Sequence, residues 1–489
     1  MHLLAKAFGF FHWVGISHYL NLLLLGFLIR SGFQVLSAHP KLYWNEHCAP
    51  GSEWLRLTRK QMPSDRLWTA TDEEDPFSSW VALPGGRNLG VGRHWHLFCV
   101  VFWVLNGLAY VALLFVTGEW RRLLPTSAAI FPEAVQTAWT YLQLRLPVSG
   151  HPYNPLQQLM YAAVVFLLAP ALIATGAAMS PAVAARFPWY LRIFGGRQAA
   201  RSLHFLALVA ITLFAVGHIA LVAIEDFPRN MAWIIHGEPR MEGVAVGVGL
   251  AGLVAAGVLH VLATKFSLRH PDRVQQILGG ITTPVHRILL HHVTSRQQYS
   301  MADVGFFRVN GRPPEGAEYA ELARSDFREW RLKVGGMVNA PLEMSLVELR
   351  AMPARTQITL HHCIQGWSGI AAWTGVALAD ILQRCAPLTG ARYVVFRSFD
   401  EHLGGEPYHE TIDLELARHP QTLLAYDMNG TRLSIPHGAP CRLRVETQLG
   451  FKMVKYLRSI ELVEDYHSEG RGQGGSREDV QFYGVEAGI

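Results

Sequence analysis

The sequence contains few cysteines and few charged residues for its length. Five cysteines occur in 489 residues, an odd number with no Cys-x-x-Cys spacing, which disfavours a disulfide framework, a zinc knuckle and a cysteine-ligated iron–sulfur cluster. Charged residues amount to 17% and the net charge is +5, which does not indicate a protein that binds nucleic acid. Neither a cleavable signal nor a twin-arginine pair precedes the first apolar run, so we expect that run to be retained as a membrane span.

Apolar residues are abundant instead. Half of the chain is hydrophobic and 11% is aromatic, a composition typical of a protein that is part membrane-embedded and part globular. Five apolar segments are long enough to cross the lipid of a membrane as helices. They are residues 14–36, 97–117, 157–179, 203–224 and 243–262. The sequence therefore predicts an all-α transmembrane bundle of about five helices in the N-terminal half.

The fourth segment carries two histidines, His204 and His218. Ionisable side chains inside a span are costly and are therefore usually functional. Fourteen residues of helix separate the two by about 21 Å and bring them within about 40° of one face. One helix face would thus present one imidazole near each side of the membrane, as a helix that serves two stacked haems must.

Histidines on two other spans match these positions in depth. His18 lies early on the first span, and His218 lies late on the fourth, which runs antiparallel to it. The second span opens with His96, preceded by His94, and it runs parallel to the fourth span, which opens with His204. A core histidine is the simpler interpretation of any one of these residues alone. Their matched depths favour two bis-imidazole iron sites, with His96 preferred over His94.

The first four spans resemble the membrane cytochrome b family that includes the formate dehydrogenase gamma subunit. The resemblance rests on His18, on the Arg-x-x-His at Arg93–His96, and on the spacing of His204 and His218. It implies two b-type haems (haem b) whose iron is held by His18, His96, His204 and His218. It also implies that electrons are exchanged with quinone or quinol.

After Lys265 the apolar runs shorten to strand length, and turn signals such as Asn429-Gly430 appear. We therefore divide the chain into a transmembrane di-haem domain at 1–265, a linker at 266–299 and a soluble α+β domain at 300–489. Strands are expected at 357–363, 392–399, 441–446 and 456–463, and helices at 345–352 and 378–384.

Cys363 has the most informative surroundings of the five cysteines. It ends a strand-like run and is followed by Gly366, Ser368 and a Trp-x-Gly-x-x-Leu motif at Trp373–Leu378 that leads into a helix. A lone cysteine at a strand end is usually a small buried core residue. This arrangement, however, resembles the molybdenum-cofactor domain of the sulfite oxidase family, in which the cysteine thiolate binds molybdenum. A soft thiolate beside a loop that admits a pterin is chemically suited to that role.

The C-terminal part of the domain resembles the second signature of the same family, through Tyr426–Gly430, His437–Arg442 and Gly450–Lys455. In that family the signature holds the phosphate and ring edges of the molybdenum-pyranopterin cofactor. The resemblance implies a set of cofactor contacts: Ser398, His437, Arg442, Met453, Val454 and Lys455, with Asn310 as a further candidate. Arg442 and Lys455 also suit a phosphate by charge alone.

The residues after Cys363 bear on the substrate. Family members that oxidise sulfite have arginines there, whereas Ile364–Ser368 is uncharged and is closer to the branch that reduces sulfoxides. Arg397, Tyr408 and His409 are further candidates for approaching the metal, which leaves an oxyanion substrate open.

The sequence thus predicts a membrane-bound molybdopterin oxidoreductase fused to its own cytochrome. Quinol would reduce the haems, and the molybdenum centre would reduce a small oxo-substrate such as a sulfoxide by oxygen-atom transfer. Two alternatives stay open: a sulfite-type dehydrogenase that delivers electrons to quinone, and a transmembrane electron conduit whose C-terminal domain only docks a partner.

Charge patterning gives an expectation for topology. Basic residues follow the third and fifth spans: Arg186, Arg192, Arg197, Arg201, Lys265, Arg269 and Arg273. Since basic loops favour the cytoplasmic side, we expect a multi-pass protein of the bacterial inner membrane with its soluble domain in the cytoplasm. Family analogy in the cytochrome half suggests the periplasm instead. The acidic run Asp72–Asp75 is expected to be solvated surface.

Overall fold

The computed structural model describes residues 10–147, 153–237, 239–290, 294, 299–401 and 407–484, with the backbone alone at 10–12, 285–287, 289 and 290. The chain folds into two compact units. The helical unit comprises the chain up to Arg30, Trp95–Gly176 and Leu203–Phe266. The sheet unit comprises Ser31–His94, Ala177–Ser202 and the chain from Ser267 onward. Two segments of the N-terminal half therefore belong to the sheet unit.

Among the described residues, five helices are long and apolar enough to cross a membrane. They span Trp13–Ser37, Leu89–Thr117, Pro155–Ala178, Arg197–Ile235 and Glu242–Arg269. These helices coincide with the five predicted apolar segments, so the prediction of an N-terminal helical domain with five candidate spans is confirmed. The second and fourth helices begin earlier than predicted because polar residues lie in their first two turns, such as Arg93 and His94 in the second and Arg197 and Gln198 in the fourth. An apolar run marks only the part of a helix suited to lipid.

The α-helices are α1 Phe10–Ser37, α2 Leu89–Thr117, α3 Trp120–Leu123, α4 Ile130–Leu142, α5 Pro155–Ala163, α6 Ala169–Ala178, α7 Pro181–Arg186, α8 Pro188–Ile193, α9 Arg197–Ile235, α10 Glu242–Arg269, α11 Pro271–Leu290, α12 Ala317–Arg324, α13 Leu346–Ala351, α14 Leu378–Cys385, α15 Leu414–Ala417 and α16 Ser476–Gln481. A π-helical turn, Val164–Leu168, joins α5 to α6. Helix α9 is kinked at Asp226 (φ −164°, ψ 79°), two residues before Pro228, because a proline cannot donate a backbone hydrogen bond inside a helix.

The segment expected to be a linker, 266–299, is helical over most of its length. Helix α10 continues to Arg269, and α11 begins at Pro271, a residue well suited to the first position of a helix because its missing N–H would have no intrahelical partner there. Residues 291–293 and 295–298 of the expected linker lie outside the described residues.

The strands are β1 Lys41–Leu42, β2 Leu55–Arg56, β3 Arg331–Gly336, β4 Leu342–Ser345, β5 Ala354–His362, β6 Ser368–Ala377, β7 Tyr393–Glu401, β8 Pro407–Asp413, β9 Thr422–Met428, β10 Thr431–Arg432, β11 Arg442–Val445 and β12 Leu457–Val463. One five-stranded sheet has the order β10-β9-β6-β5, with β11 also paired to β9, and the other has the order β4-β3-β12-β7-β8. Strand β12 runs parallel to β3, and the other pairs are antiparallel. The predicted α+β class is confirmed.

Helix α14 shows why the predicted elements form. Its buried residues Leu378, Ile381, Leu382 and Cys385 follow the spacing of one helix face, which packs on the core. Strand β6, by contrast, is buried at nearly every position and therefore lacks the alternation by which a strand is predicted. Strands β5 and β6 form an antiparallel pair whose last register is His362 to Ser368, so the connection between them starts at Cys363.

Candidate functional site

The connection between β5 and β6 is a tight turn, Cys363–Trp367. The Cys363 N–H donates to the Trp367 carbonyl at 3.1 Å, and the Gly366 N–H donates to the Cys363 carbonyl at 3.0 Å. Gly366 has a φ of 108°, a conformation that glycine adopts at little cost. Cys363 itself is fully buried, so the turn holds its sulfur atom in a defined position.

The first turn of helix α9 supports this connection within the sheet unit. A guanidinium nitrogen of Arg197 donates to the Gly366 carbonyl at 2.9 Å. The Gln198 side chain donates to the same carbonyl and to the Ser368 hydroxyl, both at 2.9 Å. The Ser368 hydroxyl in turn donates to the Glu46 carboxylate at 2.6 Å. The end of the turn that leads into β6 is therefore anchored by polar side chains.

The sulfur of Cys363 makes two long hydrogen bonds to side-chain amides. It accepts from the Asn310 side-chain nitrogen at 4.0 Å and donates to the side-chain oxygen of Gln365 at 3.6 Å. Burial raises the pKa of the Cys363 thiol to about 12, which makes it a poor nucleophile on its own because the thiolate is the reactive form. A metal cation deprotonates a thiol that it binds. The environment of Cys363 therefore suits a metal ligand better than a catalytic nucleophile.

One pocket beside Cys363 is lined by all seven cofactor contacts that the sequence predicts. These are Asn310, Ser398, His437, Arg442, Met453, Val454 and Lys455. The two residues that follow Cys363, Ile364 and Gln365, also line it. The structure thus brings together residues from six separate segments, and only the family resemblance had connected the seven predicted contacts.

Arg442 and Lys455 bring two cations to this pocket. One Arg442 nitrogen donates to the His437 carbonyl at 2.9 Å, and the Lys455 ammonium donates to the carbonyls of Pro436 at 3.0 Å and Gly311 at 3.3 Å. In the described part of the chain, no carboxylate lies within ion-pair distance of either cation. Burial lowers the pKa of Arg442 to about 9 and that of Lys455 to about 7. A bound anion such as a phosphate would supply the missing countercharge.

Ser398, Met453 and His437, three other predicted cofactor contacts, form part of the pocket wall. The Ser398 hydroxyl donates to the Lys455 carbonyl at 2.8 Å and accepts from the Asp400 N–H at 2.9 Å, so it is already paired. The Met453 carbonyl accepts from Arg442 at 3.4 Å. Burial lowers the pKa of His437 to about 4, which leaves its ring neutral and able to accept a hydrogen bond.

Of the three residues expected to approach the metal, Tyr408 lines the pocket. Arg397 instead forms ion pairs with Glu461 at 3.3 Å and with Glu469. The His409 ring lies 3.2 Å from the Ser476 hydroxyl. Within the described residues, neither Arg397 nor His409 lines the pocket.

The acidic run at 72–75 is not simply solvated surface, so that expectation is wrong. Glu73 is fully buried and forms ion pairs with Arg308 and, at 3.4 Å, with Lys41. Although burial raises the pKa of Glu73, a hydrogen bond from His39 and these two cations lower it to about 2. The Glu74 carboxylate lines the pocket and accepts from the Gln365 amide at 2.7 Å. Arg308 lies far along the chain from Glu73, so no local pattern indicates this pairing.

The C-terminal segment supplies residues that sequence reasoning missed. Arg477, Gln481 and Tyr483 line the same pocket. Arg477 and Gln481 lie in helix α16, and Tyr483 follows it. None of the three belongs to a motif, and their spacing carries no chemical signal. Only the path of the folded chain brings them to Cys363.

Within the helical unit, His96 and His204 face each other. Their ring centroids are 6.5 Å apart at an angle of 66°. A metal ion held between two imidazoles lies about 2 Å from each nitrogen, which places the ring centres roughly 6 Å apart. The observed separation therefore fits one iron atom between the two rings.

The hydrogen bonds of two histidines leave one ring nitrogen able to bind iron. The His18 Nδ1–H donates to the Val14 carbonyl at 2.9 Å. The Thr175 hydroxyl donates to the Ala171 carbonyl at 2.6 Å, so it accepts from the His204 Nδ1–H at 3.0 Å. Each ring thus keeps the lone pair of Nε2, and a bonded Nδ1–H is the usual arrangement of a metal-binding histidine.

His218 and His94 differ in their surroundings. In the helical unit, His218 stacks on Phe214 with ring centroids 5.5 Å apart, and the Tyr161 hydroxyl lies 3.4 Å from its Nδ1. In the sheet unit, His94 uses its Nε2–H to donate to the Phe482 carbonyl at 3.0 Å. His96 faces the His204 ring, whereas His94 contacts a backbone carbonyl of the sheet unit, and this difference favours His96 as an iron ligand.

Two family models match the chain. Residues 9–237 match "Prokaryotic cytochrome b561", and residues 319–470 match "Oxidoreductase molybdopterin binding domain". The expected resemblances to a membrane cytochrome b and to a molybdopterin domain are thereby confirmed.

Curated relatives cover parts of the chain. A putative protein-methionine-sulfoxide reductase subunit, YedZ1, of Azospira oryzae is 35% identical over 146 residues, which is 30% of this chain and 53% of that protein. The protein-methionine-sulfoxide reductase catalytic subunit MsrP of Xanthomonas axonopodis pv. citri is 37% identical over 145 residues, 28% of this chain and 45% of that protein. The chain thus spans about half the length of these relatives.

A solved structure also shows a likeness. The sulfane dehydrogenase SoxCD from Paracoccus pantotrophus is 21% identical, with a TM-score of 0.27, over 31% of this chain and 40% of that chain. The family assignment depends on the two domain matches. This chain joins a domain of the prokaryotic cytochrome b561 family to an oxidoreductase molybdopterin-binding domain.

Proposed function

We propose that this protein is a membrane-bound molybdenum enzyme that uses quinol to reduce a small sulfoxide. The pocket beside Cys363 carries the proposal, because a buried thiol adjoins a pocket lined by two cations that form no ion pair among the described residues. The names of the relatives, which are methionine-sulfoxide reductase subunits, support a sulfoxide as the substrate class. A methionine sulfoxide side chain is the first substrate to test.

The proposed reaction balances as two half-reactions. A quinol gives up two electrons and two protons and becomes a quinone. A sulfoxide takes up two electrons and two protons, loses its oxygen as water and becomes a sulfide. The b haems would carry the electrons one at a time between the two reactions.

The residues of the sheet unit fit a molybdenum-pyranopterin cofactor. A molybdenum centre, when bound, supplies oxygen-atom transfer coupled to two-electron chemistry. Cys363 would hold the metal through its sulfur, and Arg442 and Lys455 would hold the phosphate. Asn310, Ser398, His437, Met453 and Val454 would form the walls that orient the pterin. The neutral turn Ile364–Ser368 would leave the substrate side uncharged, as suits a neutral sulfoxide.

In the helical unit, we propose His96 with His204, and His18 with His218, as the axial ligands of two b haems. The facing rings of the first pair and the bonded Nδ1 atoms of His18 and His204 support this assignment. Such haems would exchange single electrons with quinol.

The purified protein tests the proposal directly. We expect one molybdenum and two haem irons per chain, together with reduction of methionine sulfoxide when a reduced viologen dye supplies electrons. A preparation with haem but without molybdenum would instead support a transmembrane electron conduit.

A sulfite-type dehydrogenase that delivers electrons to quinone is the second candidate. The observation that favours it is Arg477, a cation that the C-terminal segment adds to the pocket, where an oxyanion could bind. Reduction of the haems by sulfite, with no turnover of any sulfoxide, would establish this direction instead.

The side of the membrane on which the sheet unit of this multi-pass protein lies is also a proposal. The basic loops favour the cytoplasm for the sheet unit. Arg197 and Arg201, however, bind backbone carbonyls of Gly366 and His39, so these two arginines have a structural role on either side of the membrane. A C-terminal reporter active only in the periplasm would place the sheet unit there.

A further inference from the structure

The C-terminal segment that follows helix α16 is fixed against the pocket at three points. The His94 ring donates to the Phe482 carbonyl at 3.0 Å, and the Gln275 amide donates to the Tyr483 carbonyl. The Tyr483 ring stacks on Phe451 with centroids 5.2 Å apart and an angle of 26°. Phe482 has a φ of 59°, which turns the chain so that Tyr483 reaches the pocket wall.

These contacts account for the backbone and the ring of Tyr483 but not for its hydroxyl. The side chain is only 4% exposed, and within the described chain its hydroxyl has no hydrogen-bond partner. A buried tyrosine hydroxyl normally has a partner, and leaving one unpaired costs free energy.

Other tyrosines of the sheet unit follow that rule. The Tyr319 hydroxyl donates to the Ala439 carbonyl at 2.6 Å, and the Tyr408 hydroxyl donates to the Glu410 carboxylate at 2.8 Å. The Tyr456 hydroxyl lies 3.1 Å from the Lys455 ammonium. Tyr483 is therefore exceptional among these four: it lines the pocket, and its hydroxyl has no partner among the described residues.

The charges around Tyr483 define what its hydroxyl can bind. Burial raises its pKa, Arg93 and Arg477 oppose that shift, and the charges of Glu74 and Cys363 add to it. The hydroxyl therefore keeps its proton and can act as a donor. Tyr483 lines the same pocket as Ile364 and Gln365, the two residues that follow Cys363.

We infer that the Tyr483 hydroxyl donates a hydrogen bond to the oxygen atom of the sulfoxide substrate. This inference rests on the proposed function and names a residue that contacts the substrate. A hydrogen bond to that oxygen would orient the S=O bond toward the metal side of the pocket. It would also stabilise the negative charge that gathers on oxygen as the bond to sulfur breaks.

The test compares Tyr483→Phe with Tyr319→Phe in the full-length holoenzyme. For Tyr483→Phe we expect unchanged molybdenum and haem content and an unchanged melting temperature, because its hydroxyl has no partner to lose. With reduced viologen as donor, kcat/KM for methionine sulfoxide should fall about 10-fold to 100-fold. The Kd of methionine sulfoxide for the oxidised enzyme, measured by calorimetry, should rise about tenfold.

Tyr319→Phe is the matched control because it also removes a buried tyrosine hydroxyl. It should lower the melting temperature, since the Ala439 carbonyl loses its donor, while kcat/KM per folded molecule stays the same. Unchanged kcat/KM and Kd in Tyr483→Phe would overturn the inference and leave the proposed function intact. Loss of molybdenum in that variant would also overturn it, because Tyr483 would then hold the cofactor. A wild-type enzyme that reduces no sulfoxide would overturn both.

Discussion

The two units carry their candidate sites in different ways. In the helical unit, His204 and His218 lie on one helix, and their fourteen-residue spacing determines where both rings point. In the sheet unit, the pocket draws on residues from Gln34 to Tyr483, and almost no pair of them is related by a local repeat. A site whose residues follow the spacing of one helix can be predicted from the sequence. A site formed by loops at the ends of sheets can be recognised only from the folded structure.

The largest difference between the units should appear when Cys363 is replaced. Cys363→Ser should abolish sulfoxide reduction, because an alcohol or alkoxide poorly replaces a soft thiolate. The haem spectrum should be unchanged, because the proposed iron ligands belong to the helical unit. Viologen-driven turnover and optical spectra of the same preparation measure both effects.

Cys385→Ser is the matched control for this experiment. Cys385 is also fully buried, and its thiol donates to the Leu382 carbonyl at 3.4 Å. Serine there should cost some stability and leave activity per folded molecule largely intact. Equal residual activity in the two variants would rule out Cys363 as the metal ligand.

The reverse experiment targets the helical unit. His204→Ala should reduce the haem content from two per chain to one and abolish quinol-driven turnover, because one iron loses an axial ligand. Molybdenum content and viologen-driven turnover should remain. Haem extraction with pyridine measures the haem content per chain, and metal analysis measures the molybdenum content.

His260→Gln serves as the control in the same unit. His260 lies 3.2 Å from the Arg30 guanidinium, and its ring packs on Phe27 with centroids 4.1 Å apart, so we expect it to hold helices together. This variant should keep both haems. A full haem complement in His204→Ala would contradict the assignment of that ligand.

A smaller effect should come from the buried ion cluster of the sheet unit. Lys452 is fully buried between Glu410, at 3.1 Å, and Glu478. Lys452→Met should destabilise the protein by about 3–5 kcal/mol, because two buried carboxylates lose their counterion. The exposed pair Arg324–Glu321 is the control, and Arg324→Ala should cost about 0–1 kcal/mol. Denaturant titration of both variants measures the comparison, and equal losses would contradict it.

The smallest expected effect is a pH dependence of cofactor retention. Since burial, followed by the charge of Arg442, lowers the pKa of Lys455 to about 7 in the empty pocket, this lysine is charged below pH 7 and largely neutral above it. Apo-protein should therefore take up the cofactor's phosphate more tightly at pH 6 than at pH 8. Lys455→Gln should bind a few-fold more weakly at pH 6 and almost equally at pH 8. The measurement is reconstitution at each pH followed by molybdenum analysis. If cofactor uptake changes with pH in the same way in the wild-type protein and in Lys455→Gln, Lys455 has no such role.

The features that could be predicted from the sequence are those that leave a local pattern or a family motif. The five candidate spans came from the length of the apolar runs, the histidine pairs from their spacing and matched depths, and the residues of the Cys363 pocket from the family resemblance. The burial of Glu73 depends on Arg308, and the presence of Tyr483 in the pocket depends on anchors at Gln275 and His94. Such contacts join distant parts of the chain and leave no local pattern.

The coupling between haem and molybdenum is the central claim, and one anaerobic experiment tests it most directly. The full-length protein is reduced with a quinol analogue, excess quinol is removed, and methionine sulfoxide is added while the haem absorption is recorded. We expect both haems to be reoxidised in the wild-type protein and to remain reduced in Cys363→Ser. Two results would contradict electron transfer from haem to the molybdenum site. One is that the haems stay reduced in a wild-type protein that has viologen-driven turnover. The other is that the haems are reoxidised equally in Cys363→Ser.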